Sequence, residues 1–269
     1  MENSNKVKYG NWVSGKIIKL LIILSVFLAA GCGYCFIIRA KNSNVEIIYL
    51  VTLILLILAI VSIGMTVYMT ICRRLFSYTG KYKIQNKILD YLISYLQFSK
   101  GKVLDIGCGN GALSIKLAKK FKNSKVTSID YWGKEWEFAK EQCEKNAKVE
   151  GVDKKITFKK GDAAKLEFDN EAFDAVVSNF VFHEVKSEKD KRLVVKEALR
   201  VLKKGGTFAF HDVFLEEKIY GNIDEFIKEL KSEGISEVKI AYSNSEKFIP
   251  NILKTRFMLG RIAVIYGIK

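Results

Sequence analysis

The 269-residue chain contains one proline, Pro250, and two histidines, His183 and His211. A single proline excludes a proline-rich linker or tail. Two histidines are too few for a histidine-built metal centre, and no cysteine or histidine set stands at metal-ligand spacing, so no metal is expected. The five cysteines (Cys32, Cys35, Cys72, Cys108 and Cys143) are few and irregularly spaced. That excludes a disulfide framework and suits a reducing compartment. Acids are outnumbered, with 29 Asp and Glu against 44 Lys and Arg, for a net charge of +15. Such an excess is one mark of a nucleic-acid binder. Here the lysines are spread over both halves of the chain, which reads as a solvated surface. Attraction to anionic lipid is the better functional use of the charge, and no nucleic acid is expected.

Long apolar runs are plentiful. Ile17–Ile38 is apolar apart from Lys19, and Ile47–Cys72 has no charge at all. At 1.5 Å rise per residue each spans a hydrocarbon layer, so two transmembrane helices are expected, over 17–38 and 47–72. Lys6, Lys8, Lys16 and Lys19 precede the first run, and Arg73, Arg74, Lys81, Lys83 and Lys87 follow the second, whereas the link between them holds only Arg39 and Lys41. This bias predicts a multi-pass protein of the cell membrane with both ends cytoplasmic. A basic N-terminus over 1–16 and an amphipathic linker helix within 73–100, at Lys83–Phe98, complete the membrane-proximal part. Gly31, Gly33 and Gly64 suit close contact between the two helices.

From 101 to 269 strand-like and helix-like segments alternate. Strands are expected at Val103–Ile106, Val126–Asp130, Ile156–Lys159, Ala172–Ser178, Thr207–Asp212, Glu237–Ala241 and Arg261–Tyr266. Helices are expected at Ala112–Phe121, about Lys134–Glu150, about Lys189–Leu202 and about Ile223–Ser232. This alternation builds an α/β domain with a mainly parallel sheet covered by helices. Ligands of such sheets sit beyond the carboxyl ends of the strands.

The first strand runs into Asp105-Ile106-Gly107-Cys108-Gly109-Asn110-Gly111. Glycines here allow a tight turn and a close ligand approach. About twenty residues later Asp130 ends the second strand, where a carboxylate can take both hydroxyls of a ribose. The spacing departs from the Gly-x-Gly-x-x-Gly of dinucleotide binders. Asp105 beside the turn would repel a pyrophosphate and suit a ligand with ammonium and sulfonium charges, which disfavours a nicotinamide oxidoreductase.

These residues resemble motif I of the class I S-adenosylmethionine-dependent methyltransferases, and over about 80–269 the chain is most similar to the small-molecule enzymes typified by ubiquinone and menaquinone biosynthesis. The resemblance implies a Rossmann-like seven-stranded sheet with an antiparallel last strand, and S-adenosylmethionine as cofactor. It implies that Asp105, Gly107, Cys108, Gly109, Asn110 and Gly111 cradle the methionine part. Asp130 would hold the ribose, with Tyr131 or Trp132 covering the adenine. Asp162 and Ala163 after the third strand would meet the adenine amino group, although Asp162 also reads as a helix cap. Asn179, in Ser178-Asn179-x-x-x-His183, would lie near the methyl group. Lys203-Lys204-Gly205-Gly206 matches the family's turn before the fifth strand.

Methyl transfer is an in-line displacement with a neutral leaving group, so the site chiefly aligns its reactants and excludes water. A base is needed only where the acceptor must lose a proton. His183 is the candidate base by position, and orientation of its loop is the alternative reading. His211 could contact the acceptor or serve only as a hydrogen-bonded strand end. The expected activity is methyl transfer to a small-molecule or lipid acceptor. A membrane-tethered sensor or scaffold that binds the cofactor without transfer is the alternative.

Overall fold

The computed structural model describes residues 6–39, 45–132 and 140–269. The described chain divides into two units: residues 6–10 with Asn86–Lys269, and Asn11–Gln85.

The second unit holds two long helices, α1 (Gly15–Arg39) and α2 (Val45–Leu75). Both are apolar on nearly all sides, and large side chains such as Phe27, Ile47 and Ile60 are exposed. Helices of that kind need an apolar surrounding. The stretches Gly15–Ile38 and Glu46–Leu75 are long and apolar enough to cross a membrane. Between the helices the Ser25 and Ser62 hydroxyls lie 2.8 Å apart, and Ser62 Oγ also donates to Leu21 O at 3.3 Å. A Cβ at Gly31 would stand 3.3 Å from Leu55 Cδ1, while Gly33 and Gly64 have nothing within 4 Å. The close contact expected at three glycines is therefore made at Gly31 alone. Both helices run past the expected spans, and α2 takes in Arg73, Arg74 and Leu75 from the expected linker.

The linker helix is shorter than its periodicity suggests. Helix α3 covers Ile84–Ser94. Its last turn tightens, with Tyr95 N donating to Leu92 O and Leu96 N to Ile93 O, both at 3.2 Å, and the helix does not continue to Phe98. Its apolar stripe at Ile88, Leu89, Leu92 and Ile93 is buried.

The first unit is built on a seven-stranded sheet of order β3-β2-β1-β4-β5-β7-β6. The strands are β1 (Gly101–Ile106), β2 (Ser124–Asp130), β3 (Ile156–Lys160), β4 (Phe173–Asn179), β5 (Leu202–Asp212), β6 (Glu237–Ala241) and β7 (Ala263–Ile268). β1 to β5 pair in parallel, and β7 runs antiparallel between β5 and β6. Helices α4 (Ala112–Lys120), α5 (Lys140–Val149), α6 (Lys191–Arg200), α7 (Glu217–Tyr220) and α8 (Ile223–Ser232) connect them. Val103, Leu104, Val176, Val177, Phe208 and Ile265 are fully buried. These strands read as apolar runs because both faces of the sheet are covered.

The element boundaries differ where local chemistry outweighs apolar pattern. β5 begins at Leu202, so the expected turn Lys203–Gly206 lies inside the strand. Phe173 pairs with Leu202 and Ala175 with Thr207, and the intervening residues bulge through Gly205 at φ +74°. α6 starts at Lys191 because the Asp190 carboxylate caps it, accepting from Arg192 N at 2.9 Å. β7 begins at Ala263, two residues later than expected. The expected start of the helix before β3, at Lys134, lies outside the described residues, and the helix is described from Lys140.

Within the expected basic N-terminus 1–16, residues 6–10 belong to the sheet unit. Asn146, fully buried, accepts from Lys8 N at 2.9 Å and donates to Lys8 O at 3.0 Å. It also donates to Asn110 O at 3.0 Å and accepts from Gln142 Nε2 at 2.9 Å, so both ends of the amide are fully used. Asn110 Nδ2 donates to Tyr9 O, and Tyr9 OH donates to Glu150 Oε1 at 3.0 Å. This strap has no apolar periodicity to announce it, since side-chain amides hold its backbone. Asn146→Ala leaves the buried Asn110 carbonyl and the part-buried Lys8 backbone bonds without their partner, a cost of about 2 kcal/mol. Urea unfolding should show that loss together with faster amide exchange over 6–10. An unchanged midpoint with residues 6–10 still protected would contradict the strap.

Candidate functional site

The strand order reverses at β1, which lies between β2 and β4. The chain leaves the two neighbouring strands toward opposite faces of the sheet there, the place where such sheets take their ligands. The turn after β1 places Gly107, Gly109 and Gly111 at φ +72°, +54° and +80°. Gly107 N and Cys108 N both donate to Ile129 O, at 2.8 and 3.0 Å. A Cβ at Gly107 would stand 2.1 Å from Val181 Cγ2, so the loop after β4 presses directly on this turn.

Asp130 closes the other side. Its Oδ2 accepts from Gly109 N and its Oδ1 from Trp132 N, each at 2.8 Å. Trp132 Nε1 returns a bond to Gly109 O at 3.2 Å, from a backbone with φ +42°. One carboxylate therefore ties the glycine turn to the segment after β2. Tyr131 is exposed, with Lys160 Nζ 5.2 Å from its ring centre.

Asp105 lies beneath the turn. It is fully buried and accepts from Ser114 Oγ at 2.5 Å through Oδ2, while Oδ1 has no partner. Burial pushes its carboxyl up to about 7; the Ser114 bond opposes this and the nearby Asp130 adds to it. Asn110 is engaged with Tyr9 O and with Ala112 N, which it caps at 3.0 Å. Cys108 is buried, and burial pushes its thiol well above the usual range, so it stays protonated.

After β3, Asp162 Oδ1 accepts from Ala164 N and from Ser187 Oγ, both at 2.9 Å, and Ala163 is buried beside it. After β4, Asn179 Oδ1 lies 3.1 Å from His211 Nδ1, and Phe180, at φ +56°, donates from its N to His211 O at 2.7 Å. His211 is fully buried under the Phe180 ring, and burial pushes its imidazole down to about 3 against the pull of Asp212. It is neutral, and its Nε2 has no partner.

The second histidine is the opposite case. His183, in a short 3-10 turn after β4, has Nδ1 2.5 Å from Asp212 Oδ1, and its Nε2 is 3.4 Å from Glu184 Oε1. Burial works against a charge on this ring, but the bonds to Asp212 and Glu184 overcome it and hold the imidazole up at about 10. Asp212 itself is fully buried, accepts from Val213 N at 2.6 Å, and lies against the buried Tyr220, whose hydroxyl is pushed up by burial and by that negative charge. At neutral pH His183 is an imidazolium ion, and in this state it has no free site to accept a proton.

The structure thus gathers Gly107, Cys108, Gly109, Gly111, Asp130 and Trp132 around one crevice, with Asp105 below it. It spends Asn110 on the strap and leaves Tyr131 at the rim. Asp212 was not singled out by sequence reasoning as the partner of His183. The available signal was period-two alternation along β5, which sends neighbours 211 and 212 to opposite faces. Ser114 and Ser187, which orient Asp105 and Asp162, carry no motif.

The residues fit the cofactor expected from the sequence. A half-buried carboxylate faces the turn, and a buried, unpartnered carboxylate oxygen lies beneath it. That donor set accepts hydroxyls and favours positive charge.

Residues 104–210 match the family model described as "Methyltransferase domain". A demethylmenaquinone methyltransferase of Lactobacillus johnsonii is 28% identical over 189 residues, covering 62% of this chain and 75% of that one. Sterol 24-C-methyltransferase erg6 of Aspergillus fumigatus is 32% identical over 123 residues, 45% of this chain and 30% of that one. The chain spans half the length or less of several curated relatives it matches. Among solved structures, geranyl diphosphate C-methyltransferase of Streptomyces coelicolor A3(2), with S-adenosyl-L-homocysteine bound, has a TM-score of 0.53 at 14% identity over 70% of this chain and 80% of that one. The [4+2]-cyclase SpnF has a TM-score of 0.52 at 16% identity over 68% and 80%. These two show the shared fold.

The His183–Asp212 pair has a stability signature. The folded ring titrates at about 10 and an unfolded one near 6.5, so the pair's contribution is complete below about pH 6.5 and is lost as the pH rises through about 10. His183→Asn should remove that part of the alkaline loss. The difference between wild-type and variant unfolding midpoints should therefore shrink from pH 6.5 to 10, and a constant difference would rule out the charged pair.

Proposed function

Residues 104–210 being a class I methyltransferase domain whose cofactor is S-adenosylmethionine, we propose that this chain is a membrane-anchored methyltransferase acting on a lipophilic small molecule. The observation that carries the reading is the carboxylate of Asp130 at the switch point, facing Gly109 N and Trp132 N at 2.8 Å. The cofactor supplies a methyl group on positively charged sulfur.

The chain's own residues then divide the work. Asp130 takes the ribose hydroxyls, and Trp132 or Tyr131 covers the adenine. Gly107, Cys108, Gly109 and Gly111 admit the methionine part to bare backbone, and Asn110 holds the turn from behind. Asp105 offers its unpartnered oxygen to positive charge. Asp162 and Ala163 meet the adenine edge, and Asn179 lies toward the transferred group. His183 presents a fixed positive charge held by Asp212 and Glu184, suited to an electron-rich or anionic acceptor. This is a positioning role, distinct from that of a base.

Two helices, apolar on nearly all sides, support anchoring, and the basic flanks of both runs support a cytoplasmic sheet unit. Anchoring raises the local concentration of membrane-borne acceptors. Demethylmenaquinone and sterol, in the names of the two relatives, are apolar molecules. The second reading, a cofactor-binding module without transfer, is favoured by one observation: a cyclase shares the fold.

Calorimetry with S-adenosylmethionine tests the site. Asp130→Ala removes charge-strengthened hydrogen bonds of about 1.5–3 kcal/mol, so affinity should fall roughly 10- to 100-fold with the unfolding transition preserved. Unchanged affinity would remove the ribose assignment. Methyl release from labelled cofactor onto membrane lipid extracts separates the readings, since tight binding with no labelled product favours the module.

A further inference from the structure

The segment between β6 and β7 sits at the same sheet edge as His183. β7 runs antiparallel to β5, and Ala263, its first residue, pairs with Asp212, the last of β5. Residues 242–262 therefore rise from the carboxyl edge of the parallel strands. They carry Lys247, Lys254, Arg256 and Arg261 against one acid, Glu246.

At the tip stands Phe257, which is 92% exposed, more than any large apolar side chain of α1 or α2, where the highest value is 71%. Ile252 and Tyr242, five and fifteen residues before it, are also exposed. A loose loop would explain such exposure, but this loop is tightly built. Leu253 and Leu259 anchor it in the core. Leu259 N donates to Leu253 O and Gly260 N to Thr255 O, both at 2.8 Å, and Met258 N donates to Thr255 O at 3.0 Å. A Cβ at Gly260 would stand 2.7 Å from the Thr255 carbonyl. Asn244 Nδ2 donates to Gly260 O at 2.9 Å, Arg261 O accepts from Leu215 N at 3.1 Å, and Arg256 is clamped on Glu216 at 2.8 and 3.1 Å. The fold thus holds an aromatic ring out in solvent on a fixed turn, in a basic setting. Aromatic side chains with neighbouring basic groups partition to the headgroup layer of a bilayer, and anionic lipid strengthens the attraction.

We propose that the 251–261 turn is a lipid-docking finger. Phe257 enters the surface of an anionic bilayer while Lys247, Lys254 and Arg261 meet lipid phosphates, setting the acceptor side of the site against the membrane. The proposal rests on the reading that α1 and α2 hold the chain in a bilayer, and it goes beyond that reading by giving the sheet unit its own lipid contact. Basic charge over an apolar tip fits anionic lipid better than the hydrophobic face of a protein partner, whose buried centre is depleted of charge.

The test uses the full chain reconstituted in vesicles of phosphatidylcholine with or without phosphatidylglycerol, with brominated acyl chains. F257W adds one indole to the wild-type emission, which is subtracted, and an unchanged unfolding midpoint verifies its fold. The added emission should be blue-shifted and quenched at least twofold by bromolipid when phosphatidylglycerol is present, with the quenching weakened by high salt. Emission as in water in both vesicle types overturns the finger while leaving the anchor intact. Shielding of the indole only on addition of a protein fraction also overturns it, in favour of a protein partner. Failure of the wild-type chain to float with the vesicles takes down the anchoring reading and the finger together.

Discussion

The site depends on the absence of one atom. At Gly107 a Cβ would lie 2.1 Å from Val181 Cγ2, and the backbone there is left-handed at φ +72°. Because nothing occupies that space, the loops after β1 and β4 meet, although their strands send the chain toward opposite sides of the sheet. With the loops together, Gly107 N and Cys108 N fold back onto Ile129 O at the end of β2, and Gly109 N comes within 2.8 Å of Asp130. Any side chain at 107 would part the loops and take the carboxylate away from the turn. Sheet order, turn and the acid at 130 are therefore one construction.

The same edge holds two histidines in opposite states, and burial alone does not explain the difference. Both rings are largely removed from solvent. His211 lies under Phe180 with an amide oxygen as its polar neighbour, which leaves burial to push it down to about 3. His183 has two carboxylates, and they hold it up at about 10. Strand alternation assigns the roles. His211 and Asp212 are adjacent in sequence but point to opposite faces, so the carboxylate goes to one histidine and the apolar layer to the other. A charged ring and a neutral one therefore share the carboxyl edge of the sheet, each in the state its own face dictates.

Much of this was legible in the sequence because it depends on apolar runs and glycine spacing. The strand Val103–Ile106, the turn to Gly111 and the acid at 130 follow from short-range pattern, and so does the alternation that builds the sheet. What was not legible depends on backbone held by distant side chains. Asn146 grips Lys8 across 138 positions, and no periodicity records it. The absorption of Lys203–Gly206 into β5 needed the pairing of Phe173 with Leu202. The sequence placed His183 beyond β4 but could not choose between residues 211 and 212 as its partner, because that choice depends on which face of β5 the 182–184 turn covers.

Charge distribution connects these parts. The chain carries +15 overall, yet acids stand at or beneath the carboxyl edge of β1, β2, β3 and β5, at positions 105, 130, 162 and 212. Three of them are committed in the protein alone: Asp130 to two backbone N–H groups, Asp162 to Ala164 N and Ser187, and Asp212 to His183. Asp105 is different, because one of its oxygens is buried without a partner and its carboxyl is pushed up to about 7, near the midpoint of its titration at neutral pH. A group poised there responds to any new charge nearby. A cation entering above the turn favours the carboxylate and draws off the proton, whereas a pyrophosphate would drive the group fully neutral. The response to charge above the turn thus begins beneath the glycines, at an acid that is not itself exposed.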